Sequence, residues 1–313
     1  MRIVIFGAGG VGGYFGGRLA HAGEEVTFIA RGEHLDALRS NGLHVDSIKG
    51  DFVVKPVQAT SDPSQVGQVD MILVSVKAWQ VPGIAPTISA MLGPQTGVVF
   101  LGNGVEAPEQ LSQALGDEHV LGGMCRISAF IAGPGIIHHV GIEPFVAFGE
   151  LDGRPTQRVD DLRRAFERAG VAVNVPQDIH SVIWQKFVFI AAISGVGAVT
   201  RAPVGNLRSV QPTRRMLGDA LDEVARVARA RNINLPENLA ANTLAFIDKM
   251  APGVIPSMQR DIMDGRPSEL ESQNGAVVRL GREAGVETPV HAFIYASLLP
   301  QELRARGELN HPV

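Results

Sequence analysis

A single cysteine, Cys125, stands among 313 residues, so the chain forms no internal disulfide and has no CxxC-type metal site. That profile suits a reducing compartment, and the cytoplasm is the expected location. Positive charge is not in excess either. With 28 Lys and Arg against 32 Asp and Glu the formal net charge is −4, so nothing is available to neutralise a phosphate backbone and nucleic acid is not an expected partner. Long hydrophobic runs are missing as well. The longest weakly polar stretch, Phe187–Val199, has about 13 residues against the 18 or more of a membrane span, and Ser194, Gly195 and Gly197 interrupt it. It reads as a buried core helix, with no membrane partner expected. The opening MRIVIF runs into GAGGVGGYFGG rather than into an apolar stretch with a cleavage site, and carries no signal-peptide pattern. Nine histidines show no ligand spacing, and no metal is expected.

What the chain does have is ordinary globular composition, 45% hydrophobic and 19% charged, at a length that predicts about two domains. From Met1 to about Val175 short β-rich runs alternate with helical ones. Arg2–Phe6, Glu25–Ala30, Asp70–Val76 and Gly97–Leu101 read as strands, and Gly10–His21 and Glu33–Ser40 as helices. Alternation of this kind predicts a doubly wound parallel sheet. IVIF and MILVSV are apolar at almost every position, as central strands buried on both faces should be. Leu43–Ile48 and Phe52–Val57 read as a hairpin at the edge of that sheet, with shorter strands at Val120–Ser128, Ile136–His139 and Pro144–Gly149. Beyond Pro176 the pattern is helical: Asp178 can cap one helix, Leu207, Val210, Leu217, Leu221, Val224 and Ala228 line a second, and Ser268 with Glu271 forms a capping box. Pro289 fits the first turn of another. The expected architecture is α/β, a Rossmann-type domain over residues 1–176 followed by an all-α domain over 177–313.

The strongest motif is GAGGVG, Gly7, Ala8, Gly9, Gly10, Val11 and Gly12, placed between a buried strand and a helix as a dinucleotide-binding loop requires. At the end of the second strand, where NAD enzymes place an acid, stands Arg31. A guanidinium there can hold a 2′-phosphate bidentately, which favours NADP(H); the alternative is a solvated surface arginine. Lysine is rare, five of 28 basic residues, and two of the five sit in apolar settings. Lys77 follows the strand MILVSV, where crevice residues lie. Lys186 lies within IWQKFVFI, and because lysine, unlike arginine, can release a proton near neutrality, it is a candidate proton donor. The other reading of Lys186 is a lysine snorkelling from a core helix. Cys125 reads as a small buried hydrophobe and Trp184 as core packing.

GAGGVG, Arg31, SVKA around Lys77, Asn103-Gly104, WQKF around Lys186, PSM at 256–258, Glu269 and QNGAVV together resemble the ketopantoate reductases (2-dehydropantoate 2-reductases), across residues 7 to about 280. The resemblance implies reduction of 2-dehydropantoate to pantoate with NADPH, in pantothenate synthesis. It implies Lys186 as general acid and Glu269 as the residue orienting substrate, lysine or cofactor. Ser257 and Asn103 would bind substrate, and Lys77 and Asn103 would line the nicotinamide. From local sequence alone Ser257 could equally be a helix cap, and Glu269 a first-turn acid of the helix behind Ser268. The expected partner is a small 2-oxo acid, with a homodimer allowed. Departures from the family pattern concern the substrate. Asparagines usual in the family are replaced by Ile190 and Ser194, four and eight residues after Lys186 and on its helix face, and by Val204 and Val254; Arg260 stands where Gln is common. Fewer hydrogen-bonding groups on that face would suit a less polar acid.

Overall fold

The computed structural model describes residues 1–309. They form two compact units, one of Met1–Gly102 with Ala107–Val182, the other of Asn103–Glu106 with the chain from Ile183 onward. The transition thus falls six residues past Pro176, and four residues around Asn103 belong to the second unit.

The first unit is an α/β layer structure. Its strands are β1 (Arg2–Phe6), β2 (Glu25–Ile29), β3 (Leu43–Ser47), β4 (Phe52–Val54), β5 (Gln58–Thr60), β6 (Val69–Val74), β7 (Leu92–Phe100), β8 (Val120–Arg126), β9 (Ala129–Gly133), β10 (Ile136–His139), β11 (Phe145–Glu150) and β12 (Ala172–Asn174). Its helices are α1 (Gly10–His21), α2 (Gly32–Asn41), α3 (Val81–Ile88), α4 (Ala107–Leu115) and α5 (Gln157–Arg168). Eight strands make one sheet in the order β12-β11-β8-β7-β6-β1-β2-β5, parallel throughout except where β11 runs against β8. β1 lies at its centre because it is apolar on both sides: Ile3 and Ile5 enter one core, Val4 and Phe6 the other. The chain leaves β1 toward β2 and β5, then returns to build β6, β7 and β8 on the opposite side. The C-terminal end of β1 is therefore the switch point of a doubly wound sheet, where ligands bind.

The hairpin does not join the edge of this sheet. β3 and β4 pair as expected, but with β10 and β9 they form a separate sheet in the order β4-β3-β10-β9. The reason lies in α1, which has glycines on two sides. A Cβ on Gly16 would meet Ile5 and Phe28 of the large sheet at 2.5 and 2.6 Å, and one on Gly13 or Gly17 would meet Ile137 or Leu43 of the small sheet at 2.7 and 2.9 Å. A helix this slim is covered by a layer on each side. The strand read as Phe52–Val57 ends at Val54, ahead of Pro56, which has no N–H to donate to a ladder.

The second unit is helical: α6 (Ile179–Thr200, its first four residues in the first unit), α7 (Val204–Ser209), α8 (Gln211–Ala230), α9 (Leu239–Lys249), α10 (Ser257–Met263), a π-helical turn at Glu271–Gly275, α11 (Ala276–Glu283) and α12 (Pro289–Ala305). The Asp178 carboxylate accepts from the Ser181 N–H at 3.0 Å, as an N-cap does. α6 has 22 residues and is long and apolar enough to cross a membrane, yet 67% of its most apolar window is buried inside the protein. Trp184 sits in this core, edge-on to Phe187 at 5.6 Å. The helix read through Leu207 and Ala228 is two helices. Val210 stands between them, 51% exposed, and Pro212 suits the first turn of α8. The capping box at Ser268 is absent as well. The Ser268 hydroxyl donates to Glu302 and accepts from the Leu270 N–H, while Glu271 points to Arg279 and Tyr295. A buried carboxylate on α12 outcompetes the local motif, because Glu302 satisfies the Ser268 N–H and hydroxyl at once.

Candidate active site

In the first unit the loop of Gly7, Ala8 and Gly9 joins β1 to α1. Gly7 has φ +101, a conformation that side chains rarely adopt. Gly10 and Gly12 are fixed by contact: a Cβ would meet the Ala129 carbonyl oxygen at 2.2 Å and the Gly7 carbonyl oxygen at 2.0 Å respectively. Gly9 differs, because a Cβ there would meet nothing within 4 Å. Nothing in the protein requires glycine at this position, and the space it leaves suits a group that approaches the backbone from outside. α1 begins beside that space with no side-chain cap and no acidic residue in its first turn. Uncapped amides with the positive end of the helix dipole fit a pyrophosphate. Ala8 is buried and Val11 half-buried.

Arg31 follows Ala30 at the end of β2 and is the N-cap residue of α2, its side chain exposed. It is free to meet an anion at the helix N-terminus, though Glu33 lies in the same first turn. Lys77, three residues past β6, is half-buried, and its backbone N–H donates to Gln80 Oε1 at 3.1 Å. Cys125 is buried, its thiol 2.9 Å from the Leu101 carbonyl oxygen. Among the described residues no cluster of three His, Cys, Asp or Glu could hold a metal ion.

In the second unit Asn103 and Glu269 are brought together. Glu269 is 3% exposed, and its Oε2 accepts from Asn103 Nδ2 at 3.0 Å and from Gln273 Nε2 at 3.4 Å. A buried carboxylate held by two amide donors is no ordinary first-turn acid. Five residues beyond Glu269, the Asn274 amide donates to the carbonyl of Ala191 at 3.2 Å, and Ala191 lies five residues beyond Lys186. The π-helical turn after Glu269 is thus fastened to the helix that carries Lys186. Lys186 and Ile190 are half-buried on α6, whereas Ser194 is fully buried and presents no surface to a ligand. Its hydroxyl has no hydrogen-bond partner among the described residues. Ser257 is half-buried as the first residue of α10, with Pro256 in the cap position, so the hydroxyl is not a helix cap. Val204 is buried, and its N–H donates to the Val254 carbonyl at 3.1 Å. Arg260 is exposed.

Sequence reasoning missed the supports of this group. Gln273 and Asn274 were visible as part of QNGAVV, but the partner of each lies in another segment. Glu106 and Arg279, an ion pair at 2.8 Å, had no local signal apart from the nearness of Glu106 to Asn103.

Residues 3–153 match the family model described as ketopantoate reductase PanE/ApbA, and residues 178–302 match its C-terminal counterpart. The chain is 29% identical over 298 residues to the uncharacterized oxidoreductase YkpB of Bacillus subtilis, covering 95% of this chain and 98% of the relative. Among solved structures it resembles a PanE/ApbA family ketopantoate reductase from Ralstonia eutropha, with 31% identity, a TM-score of 0.89 and coverage of 98% and 100%. It is also similar to D-mandelate dehydrogenase, solved in a ternary structure with NADH and anilino(oxo)acetate, at 25% identity, a TM-score of 0.88 and coverage of 98% and 99%.

Proposed function

The chain belongs to the ketopantoate reductase family, an oxidoreductase family, and from that premise we propose that it reduces a 2-oxo acid to the 2-hydroxy acid with NADPH, with 2-dehydropantoate as the first substrate to test. The observation that carries this reading is the half-buried Asn103 donating to the buried Glu269, next to a turn anchored to the helix of Lys186. The loop Gly7–Gly12 would hold the pyrophosphate, Arg31 the 2′-phosphate, and Lys77 the nicotinamide side. When bound, the cofactor supplies a hydride to the carbonyl carbon. Lys186 Nζ holds a proton at the carbonyl oxygen and delivers it as negative charge develops there, an effect typically worth about 10²–10⁴ in rate. Ser257 Oγ donates to the substrate carboxylate. Asn103 offers its amide to the substrate, and Glu269, held by Asn103 and Gln273, keeps that amide and the lysine oriented.

A second reading concerns the substrate. Ile190 follows Lys186 by one helical turn and is half-buried. Beside Lys186 on α6, Phe189 stands edge-on to Phe246 at 5.7 Å, with Phe246 55% exposed. A 2-oxo acid with an apolar or aromatic side chain suits such a surface better than a hydroxylated one, which would lose solvation against Ile190 without gaining a partner. The relation to D-mandelate dehydrogenase supports the same direction. Glu33 in the first turn of α2 likewise keeps NADH in the comparison.

Steady-state oxidation of NADPH and of NADH across a panel containing 2-dehydropantoate and phenylglyoxylate tests both readings. Turnover fastest with 2-dehydropantoate supports the first, and turnover fastest with phenylglyoxylate the second. Cofactor binding with no turnover on any acid would overturn both and leave a nucleotide-binding sensor.

A further inference from the structure

One guanidinium holds two carboxylates beside the Asn103–Glu269 pair. Arg279 of α11 presents Nε to Glu106 Oε1 at 3.2 Å and Nη2 to Glu106 Oε2 at 2.8 Å, a two-bond fork, while its Nη1 reaches Glu271 Oε1 at 2.5 Å. On the far side of Glu271 the Tyr295 hydroxyl donates to Oε2 at 2.6 Å. Both carboxylates are close in sequence to the pair. Glu106 is three residues after Asn103, in the short segment 103–106, and Glu271 is two residues after Glu269, at the start of the π-helical turn. All of these groups lie within the second unit.

We propose that Arg279 is a positioning residue for the reaction, fixing through Glu106 and Glu271 the spacing of the two segments that carry Asn103 and Glu269, and so holding the Asn103 amide on the Glu269 carboxylate. The inference rests on the reading of Asn103 and Glu269 as substrate-side groups. Fold stability is a poor explanation for the Arg279–Glu271 arm, whose side chains are 41% and 46% exposed, although the fork to Glu106, 19% exposed, is better shielded. Geometry explains it better. The planar fork fixes the orientation of Glu106 as well as its distance, which a lysine, a compact point charge, does not reproduce. Without the cation, Glu106 and Glu271 are two like charges on neighbouring segments, and they push Asn103 and Glu269 apart. The protonation states suit a permanent brace. Hydrogen bonding to Glu106, with Glu271 assisting, holds the guanidinium even more firmly charged than usual. Burial and the bond to Glu271 push the Tyr295 hydroxyl up to about 12, so it remains a donor across neutral pH.

The test uses the full-length protein and the variants Arg279→Lys, Glu106→Gln, Asn103→Ala and Asn103→Ala/Arg279→Lys. With the best acid of the panel, Arg279→Lys and Glu106→Gln should each lower kcat about tenfold or more, while NADPH affinity, read by fluorescence quenching, stays within about twofold. Because Arg279 acts through Asn103, the double variant should be no slower than Asn103→Ala alone, whereas a general loss of structure would multiply the two effects. Hydrogen–deuterium exchange of residues 103–106 and 269–275 in the ligand-free protein gives a readout independent of turnover, and exchange there should rise in both charge variants. Wild-type kcat in Arg279→Lys and Glu106→Gln, multiplicative losses in the double variant, or unchanged exchange would overturn the proposal. A wild-type protein inactive on the whole panel overturns the functional reading instead, and exchange still decides the brace.

Discussion

The Asn103 amide and the Glu269 carboxylate, 166 residues apart in sequence, meet at 3.0 Å. Glu269 is almost completely buried and Asn103 half-buried, so solvent screens the contact poorly. Exchanging Asn103 for Asp sets two carboxylates against each other in a low-dielectric site. Like charge raises the folded pKa of such a pair, so the added repulsion is absent at low pH and grows as pH rises through that pKa. Asn103→Asp should therefore be less stable than Asn103→Ala at pH 8, and the gap should close toward pH 4. Urea unfolding at both pH values measures it, and a gap independent of pH would show that the two groups do not face each other.

Gly9 and Gly10 should separate binding from folding. A methyl at Gly9 meets no protein atom, whereas one at Gly10 runs into the backbone of Ala129 and Phe130. Gly9→Ala should keep the wild-type Tm and lose NADPH affinity by tenfold or more; Gly10→Ala should lower Tm as well. Thermal unfolding alongside fluorescence titration checks both. A Gly9→Ala protein with full affinity would mean that the open space at Gly9 receives nothing.

Arg31→Ala should weaken NADPH much more than NADH, because the charge-assisted contact is lost only with the 2′-phosphate. Titration calorimetry with the two cofactors decides it, and equal losses would sink the assignment.

As the proposed proton donor, Lys186 gives a direct test: Lys186→Ala should lower kcat by roughly two to four orders of magnitude and leave NADPH affinity nearly intact. Retained wild-type turnover would assign Lys186 to packing of α6.

His291 gives the stability curve a sign. It is fully buried, neither ring nitrogen has a hydrogen-bond partner among the described residues, and burial pushes its pKa down to about 3. Between the unfolded value of about 6.5 and that folded value the unfolded chain binds the extra proton, so stability falls as pH falls, by at most about 1.4 kcal/mol per pH unit. Glu223, which accepts from the N–H groups of Val290 and His291, is pushed up by burial. Its contribution has the opposite sign, present at low pH and lost as pH rises through its folded pKa. His291→Leu should flatten the slope of urea stability between pH 6.5 and pH 5. An unchanged slope would exclude His291 as its source.

What could be read from the sequence was what neighbours along the chain determine. GAGGVG lies between a strand apolar on both faces and a helix, and that local order was enough to place the loop at the switch point of the sheet. Asp178 caps its own helix three residues on. Where the partner is remote, the sequence carried less. Nothing local in Leu43–Ser47 announces a parallel neighbour such as Ile136–His139, so the hairpin's separate sheet is not legible from its own residues. Ser268 and Glu271 have the spacing of a capping box, but Glu302, 34 residues away, claims the serine. Asn103 and Glu269 could be singled out only through family resemblance, because their meaning lies in a contact that spacing does not encode. The Glu106–Arg279 fork spans 173 residues, and neither residue belongs to a motif that would announce the other.

The turn at Glu271–Gly275 is π-helical, with the Gly275 N–H bonded to the Leu270 carbonyl at 3.0 Å, and such a turn amounts to one residue more than an α-helix would use. Each helical residue advances the chain by about 100°. Deleting Ser272 from this turn would leave Glu269, Glu271, Gln273 and Asn274 all in the protein and still rotate Glu269 by about that angle relative to Arg279. The loss of a single codon would therefore take the carboxylate off Asn103 with every residue of the contact still encoded, so the length of this turn carries information that its composition does not.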